Sequence, residues 1–182
     1  MPFAIPEGLA PEVYRLAWLV GWWRGPGILG YPGIEERPFV QTIQFDHDGG
    51  PYLTYTSTIR LLPEGVESTS ADGADRGPVW QTESGFWRSA PDSEADLAEG
   101  GQGVEVMITD PSGHLSLYLG TIGNGRVELA SDLIARTSTA AEVSAATWLY
   151  GRVQGELMWT WDMAAFGQPL QPYASARLSR QD

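Results

Sequence analysis

Short segments in which polar and apolar residues alternate dominate the chain and predict β-strands. In Tyr52–Ile59, threonine alternates with leucine, tyrosine and isoleucine, the period-two pattern of a strand with one buried face. The preceding run Asp48–Pro51 is a turn signal, which joins this strand to another around Phe39–Phe45 as a hairpin. Strand patterns separated by turn residues predict seven further strands: Val79–Arg88, Gly103–Thr109, His114–Thr121, Arg126–Ala135, Ala141–Tyr150, Glu156–Met163 and Tyr173–Leu178.

One short helix is predicted close to the N-terminus. Pro11 suits the first turn of a helix, and Gly21 ends the helical pattern. Between them, apolar residues recur at spacings of three and four, at Val13, Leu16, Ala17 and Val20.

The number and spacing of these elements predict an all-β fold in a single domain, residues 1–182. About ten closely spaced strands favour an antiparallel β-barrel, because closure leaves no exposed sheet edge; a β-sandwich is the alternative. A barrel of this size encloses either packed side chains or one small ligand. Two acidic stretches, Pro63–Pro78 and Ala90–Gly103, are expected to be long loops, since strand patterns continue on both sides of each.

Composition narrows the classes of function. Cysteine is absent, which excludes disulfides, thiolate metal sites and cysteine nucleophiles. Eleven basic residues against 23 acidic ones give a net charge of −12, so we expect neither nucleic acid nor a membrane surface as a partner. The first residues lack the pattern of a secretory signal, and no apolar run approaches the roughly 20 residues of a membrane span. We therefore expect a cytoplasmic protein.

Five motifs follow one another along most of the chain. The first is a G-x-W-x-G-x-G motif, followed by Tyr31–Ile34, and its defining residues are Gly21, Trp23, Gly25 and Gly27. Its glycines suggest close backbone packing, and Trp23 is expected to plug the core. The other four motifs are Phe45–Gly49 with Pro51, Glu83–Arg88, Ile134–Ser138 and Met163–Leu170.

In this order and at this spacing, the motifs resemble those of the nitrobindin family, over a barrel core at about residues 16–180. The resemblance implies a ten-stranded antiparallel barrel, similar to fatty-acid-binding proteins and lipocalins, with a short N-terminal helix and an apolar cavity. In nitrobindins this cavity holds ferric haem b, binds nitric oxide and isomerises peroxynitrite to nitrate.

Two positions depart from the family's pattern. The axial haem histidine of nitrobindins follows the Met163–Leu170 run, and Tyr173 stands at its position here. A threonine that contacts haem in the family corresponds to Gly33. Imidazole is a strong donor to haem iron, whereas a phenol binds ferric iron only as phenolate, which requires deprotonating a group of pKa about 10. We therefore expect no haem cofactor and no other metal.

The candidate ligand pocket comprises Gly33, Ile34, Met163 and Tyr173. Three interpretations of Tyr173 remain open. Its ring fills space that haem occupies in the family, its hydroxyl orients another ligand, or it ligates haem iron as phenolate. We favour the first.

The remaining candidates for chemistry have simpler interpretations. His47 lies in a turn between carboxylates, and His114 begins a strand, where we expect it to be exposed. Neither histidine has a second one at the spacing of a zinc site. Glu83 is expected to play a structural role, paired with Arg88 or Arg136.

Three hypotheses of function follow. The first is a binding module, a haem-free barrel that holds a small hydrophobic molecule. The alternative is an enzyme, a haem-binding peroxynitrite isomerase or nitric-oxide-binding protein that uses Tyr173 or water as the iron ligand. The third is a structural protein whose barrel is filled by side chains. A homodimer is compatible with the sequence, which does not fix the oligomeric state.

Overall fold

Ten strands make up most of the structure, a computed structural model that describes residues 4–63, 77–90 and 101–181. A 3-10 helix, Pro11–Leu19, precedes them. The strands are β1 (Gly21–Tyr31), β2 (Ile34–Asp46), β3 (Tyr52–Leu61), β4 (Val79–Ala90), β5 (Gln102–Asp110), β6 (His114–Gly123), β7 (Arg126–Arg136), β8 (Val143–Val153), β9 (Glu156–Ala165) and β10 (Gln171–Gln181).

The strands close into a single antiparallel barrel, which confirms the predicted fold class. Each strand pairs with its neighbours in sequence, and β1 pairs with β10 to close the ring. The nine strands predicted from alternation correspond to β2–β10, and the G-x-W-x-G-x-G motif forms the first half of β1. Most of the two predicted acidic loops, at residues 64–76 and 91–100, lies outside the described residues.

The seam between β1 and β10 leaves no room for side chains at two motif glycines. A Cβ atom at Gly25 would lie 2.2 Å from the carbonyl oxygen of Arg177 in β10. A Cβ atom at Gly27 would lie 2.1 Å from the ring of Phe39, which projects from β2 into the barrel. Both distances are far inside van der Waals contact, so the closure of the barrel depends on glycine at these positions.

Trp23 fixes the helix to this seam and plugs the core as predicted. It is fully buried, and its indole N–H donates a hydrogen bond of 2.7 Å to the carbonyl oxygen of Leu19, the last residue of the helix. The Arg180 guanidinium of β10 stacks over the Trp23 ring, 4.6 Å from its centroid, and donates to the Trp18 carbonyl oxygen at 3.0 Å. The helix, which also bonds to Ser89 at the end of β4, thereby closes this end of the barrel.

The helix is of the 3-10 type, with hydrogen bonds such as that from the Val13 N–H to the Ala10 carbonyl. Five of its nine residues are buried: Val13, Leu16, Ala17, Trp18 and Leu19. No helix in the described residues is both long enough and apolar enough to span a membrane.

Aromatic side chains fill the barrel interior from the helix end towards the opposite end. Trp87 contacts Phe45 and Tyr150, with ring centroids 5.2 Å apart in each pair. Tyr150 stacks on Trp148 at 5.6 Å, and Trp148 stacks on Trp161 at 4.3 Å. This aromatic column (Phe45, Trp87, Tyr150, Trp148 and Trp161) packs the interior closely, and the candidate pocket lies beyond its far end.

The glycine seam yields a test of the closure. Gly25→Ala should destabilise the barrel by about 3 kcal/mol, because the new methyl group collides with the backbone of β10. Gly151→Ala is the matched control, since a Cβ atom at Gly151 in β8 meets nothing within 4 Å. Urea denaturation followed by tryptophan fluorescence measures both. Equal midpoints for the two variants would show that the seam tolerates a side chain.

Candidate ligand cavity

A cavity of about 230 Å³ lies inside the barrel at the end opposite the helix. It is enclosed by the start of β2, β4, β6, β8 and β10 and by the end of β5, β7 and β9. One wall, formed by β2 and by β7 to β10 with the turn after β9, is apolar: Ile34, Ile134, Val143, Ala146, Trp161, Met163, Phe166 and Tyr173. The polar wall, formed by β4 to β6, carries Gln81, Glu83, Asp110, Ser112, His114, Ser116 and Tyr118, together with Trp80 and Ile108. The cavity is smaller than the roughly 300–1,000 Å³ typical of drug-sized ligands.

Tyr173 lies in the apolar wall and its hydroxyl is engaged within the protein. The Trp80 indole N–H donates a hydrogen bond of 2.6 Å to the Tyr173 hydroxyl oxygen. The Tyr173 ring meets Trp161 edge-on at 4.7 Å between centroids, and Tyr31 at 6.0 Å. A register shift of β10 between Pro172 and Ala174 turns Tyr173 into the barrel. Its ring thus continues the aromatic column to the cavity.

Three features of the site bear on whether Tyr173 could ligate haem iron. Burial raises the pKa of its hydroxyl, the opposite of the shift that a phenolate ligand needs. Among the described residues, neither lysine nor arginine lines the cavity to stabilise a phenolate or to pair with haem propionates. A porphyrin ring is larger than most drug-sized ligands, and the space left beside Tyr173 is below even their range.

The other three residues of the candidate pocket divide into two groups. Ile34 and Met163 line the cavity with Tyr173, whereas Gly33 does not. Gly33 occupies the turn between β1 and β2 with φ of +88°, and a Cβ atom there would meet nothing within 4 Å. Proline followed by a positive-φ glycine is the pattern of a type II turn, so the conformation of this turn accounts for Gly33.

Tyr31, which the sequence analysis did not single out, holds the cavity rim together. Its hydroxyl donates a hydrogen bond of 2.8 Å to the Met163 carbonyl oxygen and accepts one of 3.0 Å from the Ala165 N–H. These bonds join the end of β1 to the end of β9, two strands that are not neighbours in the barrel. No sequence signal marks this contact, because the residues lie more than 130 positions apart.

Glu83 projects from β4 into the cavity and pairs with neither Arg88 nor Arg136, its two expected partners. The Tyr55 hydroxyl donates to one carboxylate oxygen of Glu83 at 3.0 Å, and the Gln81 amide donates to the other at 2.6 Å. The expected pairing with Arg88 is wrong, because residues five apart in a strand point to opposite faces, and Arg88 binds Glu105 outside the barrel at 2.6 Å.

The alternative prediction, that Glu83 pairs with Arg136, is also wrong. Arg136 lies at the end of β7 and donates to the Ala140 carbonyl oxygen at 3.2 Å. It also lies 3.9 Å from the carboxylate of Glu142.

The position of Glu83 inside the barrel raises its pKa to about 7. Burial is the main cause, and the negative charge of Asp110 adds to it, whereas the hydrogen bonds from Tyr55 and Gln81 act in the opposite direction. The carboxylate therefore changes its charge near neutral pH.

His114 is buried in the polar wall, and the expectation that it is exposed is wrong. The tight turn after Asp110 pairs Asp110 with His114 and directs both side chains into the barrel. The imidazole Nδ1 lies 3.2 Å from the Asp110 carboxylate, and Nε2 lies 2.8 Å from the Ala141 carbonyl oxygen. Both ring nitrogens are thus engaged. Within the described residues, no three histidine, aspartate or glutamate side chains group together as a metal site.

Comparisons with known proteins agree with this architecture. The family model described as "THAP4-like, heme-binding beta-barrel domain" matches residues 12–180. A protein of Beutenbergia cavernae named "Ferric nitrobindin-like protein" is 46% identical over 99% of both chains. A "Peroxynitrite isomerase" of Leifsonia xyli is 38% identical over 98% of both. The crystal structure of Rv2717c from M. tuberculosis superposes with a TM-score of 0.75 and 31% identity, covering 96% of this chain and 99% of the other.

The raised pKa of Glu83 predicts a pH-dependent stability. Between about pH 4.5 and about 7 the folded barrel keeps the Glu83 proton while the unfolded chain has lost it, so the free energy of unfolding falls as pH rises through this window. Glu83→Gln removes this effect. Relative to wild type, the variant should gain up to about 3 kcal/mol between pH 4.5 and pH 8, at about 1.4 kcal/mol per pKa unit.

Urea denaturation at pH 4.5, 6 and 8 measures this gain. Glu105→Gln is the control, because Glu105 lies in an ion pair outside the barrel. A gain of the same size in both variants would mean that Glu83 is not the cause.

Proposed function

This chain belongs to the nitrobindin family of THAP4-like, haem-binding β-barrel domains, and we propose that it is a small-molecule-binding barrel that does not use haem. Its ligand would occupy the cavity between Tyr173 and the polar wall.

The observation that carries the proposal is the hydrogen bond from Trp80 to Tyr173. At the position of the family's axial histidine, this chain has a neutral phenol that is bonded to an indole and packed against Trp161. An iron ligand needs a free electron pair directed at the metal. The Tyr173 hydroxyl oxygen already accepts one hydrogen bond, and ionising this hydroxyl is opposed by its burial.

Ligation of haem iron by His114 instead of Tyr173 is also disfavoured by the contacts in the cavity. His114 lies in the polar wall, but its two ring nitrogens face Asp110 and Ala141. Ligating iron through His114 would require breaking one of these contacts inside the barrel.

The names of the relatives are compatible with two functions. The relative from B. cavernae is called ferric nitrobindin-like, and that from L. xyli is called a peroxynitrite isomerase. Haem-dependent peroxynitrite isomerisation is therefore the second candidate for this chain. It would require Tyr173 or water as the iron ligand, and the experiment below separates it from the first.

Hemin titration tests the proposal. We expect wild type to show no sharp Soret band at one-to-one stoichiometry. Tyr173→His should strengthen hemin binding by at least about tenfold, because imidazole replaces phenol at the family's ligand position. Tyr173→Phe, which removes the hydroxyl and adds no ligand, is the matched control. A one-to-one Soret complex of wild type that is lost in Tyr173→Phe would establish phenolate ligation and overturn the proposal.

A substitution at Trp80 makes this test more specific. Its indole N–H can donate to the new imidazole and occupy the electron pair that iron needs. The double variant Tyr173→His/Trp80→Phe should therefore bind hemin more tightly than Tyr173→His alone. Restoring threonine at Gly33 is a poorer test, since φ of +88° strains a β-branched residue at that position.

A further inference from the structure

The two walls of the cavity differ in charge as well as in polarity. The acidic residues Glu83 and Asp110 both line it, and His114 is the one basic residue in the described lining. His114 contacts Asp110 and not Glu83, so within the described lining no basic residue contacts Glu83. The chain has 11 arginines and no lysine, and none of the described arginines lines the cavity.

We propose that the cavity selects a small ligand that carries an ammonium group on an aromatic or aliphatic body, and that Glu83 binds the ammonium. This inference rests on the proposed function, that the cavity holds a small molecule other than haem.

Glu83 has the geometry that such a contact needs. An ionised carboxylate offers about four acceptor sites, and Tyr55 and Gln81 use two of them. Glu83 lies inside the barrel, yet its surface remains partly accessible, because it faces the cavity. A donor that enters the cavity can therefore reach a carboxylate whose position is already fixed by two hydrogen bonds.

The charge of the polar wall also sets which ligands are disfavoured. A carboxylate or another anion in the cavity would face Glu83 and Asp110, and the described lining offers no arginine to offset them. In a site with little water, such like-charge contacts cost more than they do at a surface. The cavity is thus poorly suited to a fatty-acid carboxylate or to a peroxynitrite anion. An ammonium, by contrast, relieves the repulsion between the two acidic residues.

The apolar wall fits the body of the ligand. Trp161 and Met163 on β9 and Tyr173 on β10 lie across the barrel from β4 and β5, which carry Glu83 and Asp110. A cavity of about 230 Å³ accommodates a molecule of about one ring and leaves no space for a long chain. Because the apolar and polar residues lie on opposite sides of the cavity, it favours a ligand whose polar end contacts the polar wall and whose apolar end contacts the apolar wall.

Binding of an amine should depend on pH through Glu83. The carboxylate becomes more fully ionised above pH 7, so an ammonium that stays protonated should bind more tightly at pH 8 than at pH 6. The tyrosines that interact with Glu83 stay neutral over this range because burial raises their pKa values. The titratable groups around Glu83 are Tyr55 from β3, Asp110 from β5, Tyr118 and His114 from β6, Tyr150 from β8 and Tyr173 from β10.

Three probes of similar size test the selectivity: phenethylamine, 2-phenylethanol and phenylacetate, which are cationic, neutral and anionic. Each is titrated into the haem-free protein at pH 6 and pH 8, with dissociation constants from isothermal titration calorimetry. The indole ¹H–¹⁵N signal of Trp80, identified by its loss in Trp80→Phe, reports binding in the cavity. We expect phenethylamine to bind at least about tenfold more tightly than phenylacetate at pH 8, the size of one charge-assisted hydrogen bond.

Glu83→Gln should abolish this preference and its pH dependence while leaving 2-phenylethanol within about twofold of wild type, a difference of well under 1 kcal/mol. Glu105→Gln removes an acidic residue outside the barrel and should leave all three dissociation constants unchanged. Phenethylamine binding that is no tighter than that of phenylacetate, or a preference that survives in Glu83→Gln, would overturn the inference. So would the absence of binding by all three probes.

Failure of this inference and failure of the proposed function are distinguishable. If 2-phenylethanol binds and shifts the Trp80 signal without any preference for the amine, the cavity binds small molecules and the ammonium selectivity is wrong. A one-to-one hemin complex of wild type overturns the proposed function whatever the three probes do.

Discussion

The approach of β1 to β10 is the constraint on which the rest of the structure depends. Where Gly25 and Gly27 pass β10 and Phe39, there is no space for a Cβ atom, so the strands can meet only with glycine there. Trp23 and Arg180 then fasten this seam to the N-terminal helix. Because the ring is closed at the seam and covered at one end, its interior has a fixed volume that the inward side chains must share.

The cavity is what remains of that volume after the aromatic side chains have been placed. The column from Phe45 to Trp161 fills the half near the helix, and Tyr173 extends it towards the open end. Tyr173 stands where the motifs of the family lead us to expect an iron-binding histidine. Its ring narrows the space that is left, while Glu83 and Asp110 give that space its charge. The proposed absence of haem and the acidic character of the cavity thus concern one site.

Much of the fold was predictable because period-two patterns and turn residues are local. Strand patterns identified β2–β10, and the glycine motif predicted close backbone packing in β1 and the burial of Trp23, but not that the packing partner is β10. The expected pairing of Glu83 with Arg88 conflicts with alternation itself, which places the two side chains on opposite faces of β4. The observed partner, Tyr55, lies on another strand, and no local pattern indicates that contact.

His114 and Trp80 show the same limit. The burial of His114 depends on the turn that pairs it with Asp110, and the contact of Trp80 with Tyr173 joins residues 93 positions apart. Because such contacts depend on turns and on residues far apart in the sequence, the chemistry of the cavity was harder to predict than the role of the glycine motif.

The aromatic column has an optical consequence. Its neighbouring rings lie between 4.3 and 5.6 Å apart, and Tyr173 continues the series at 4.7 Å from Trp161. At such separations, excitation energy absorbed by one indole passes readily to the next, so the buried tryptophans emit as a coupled group. A molecule that enters the cavity and quenches Trp161, which lines it, would also dim emission from the tryptophans coupled to Trp161. The protein therefore carries its own fluorescent reporter of whether the cavity is filled.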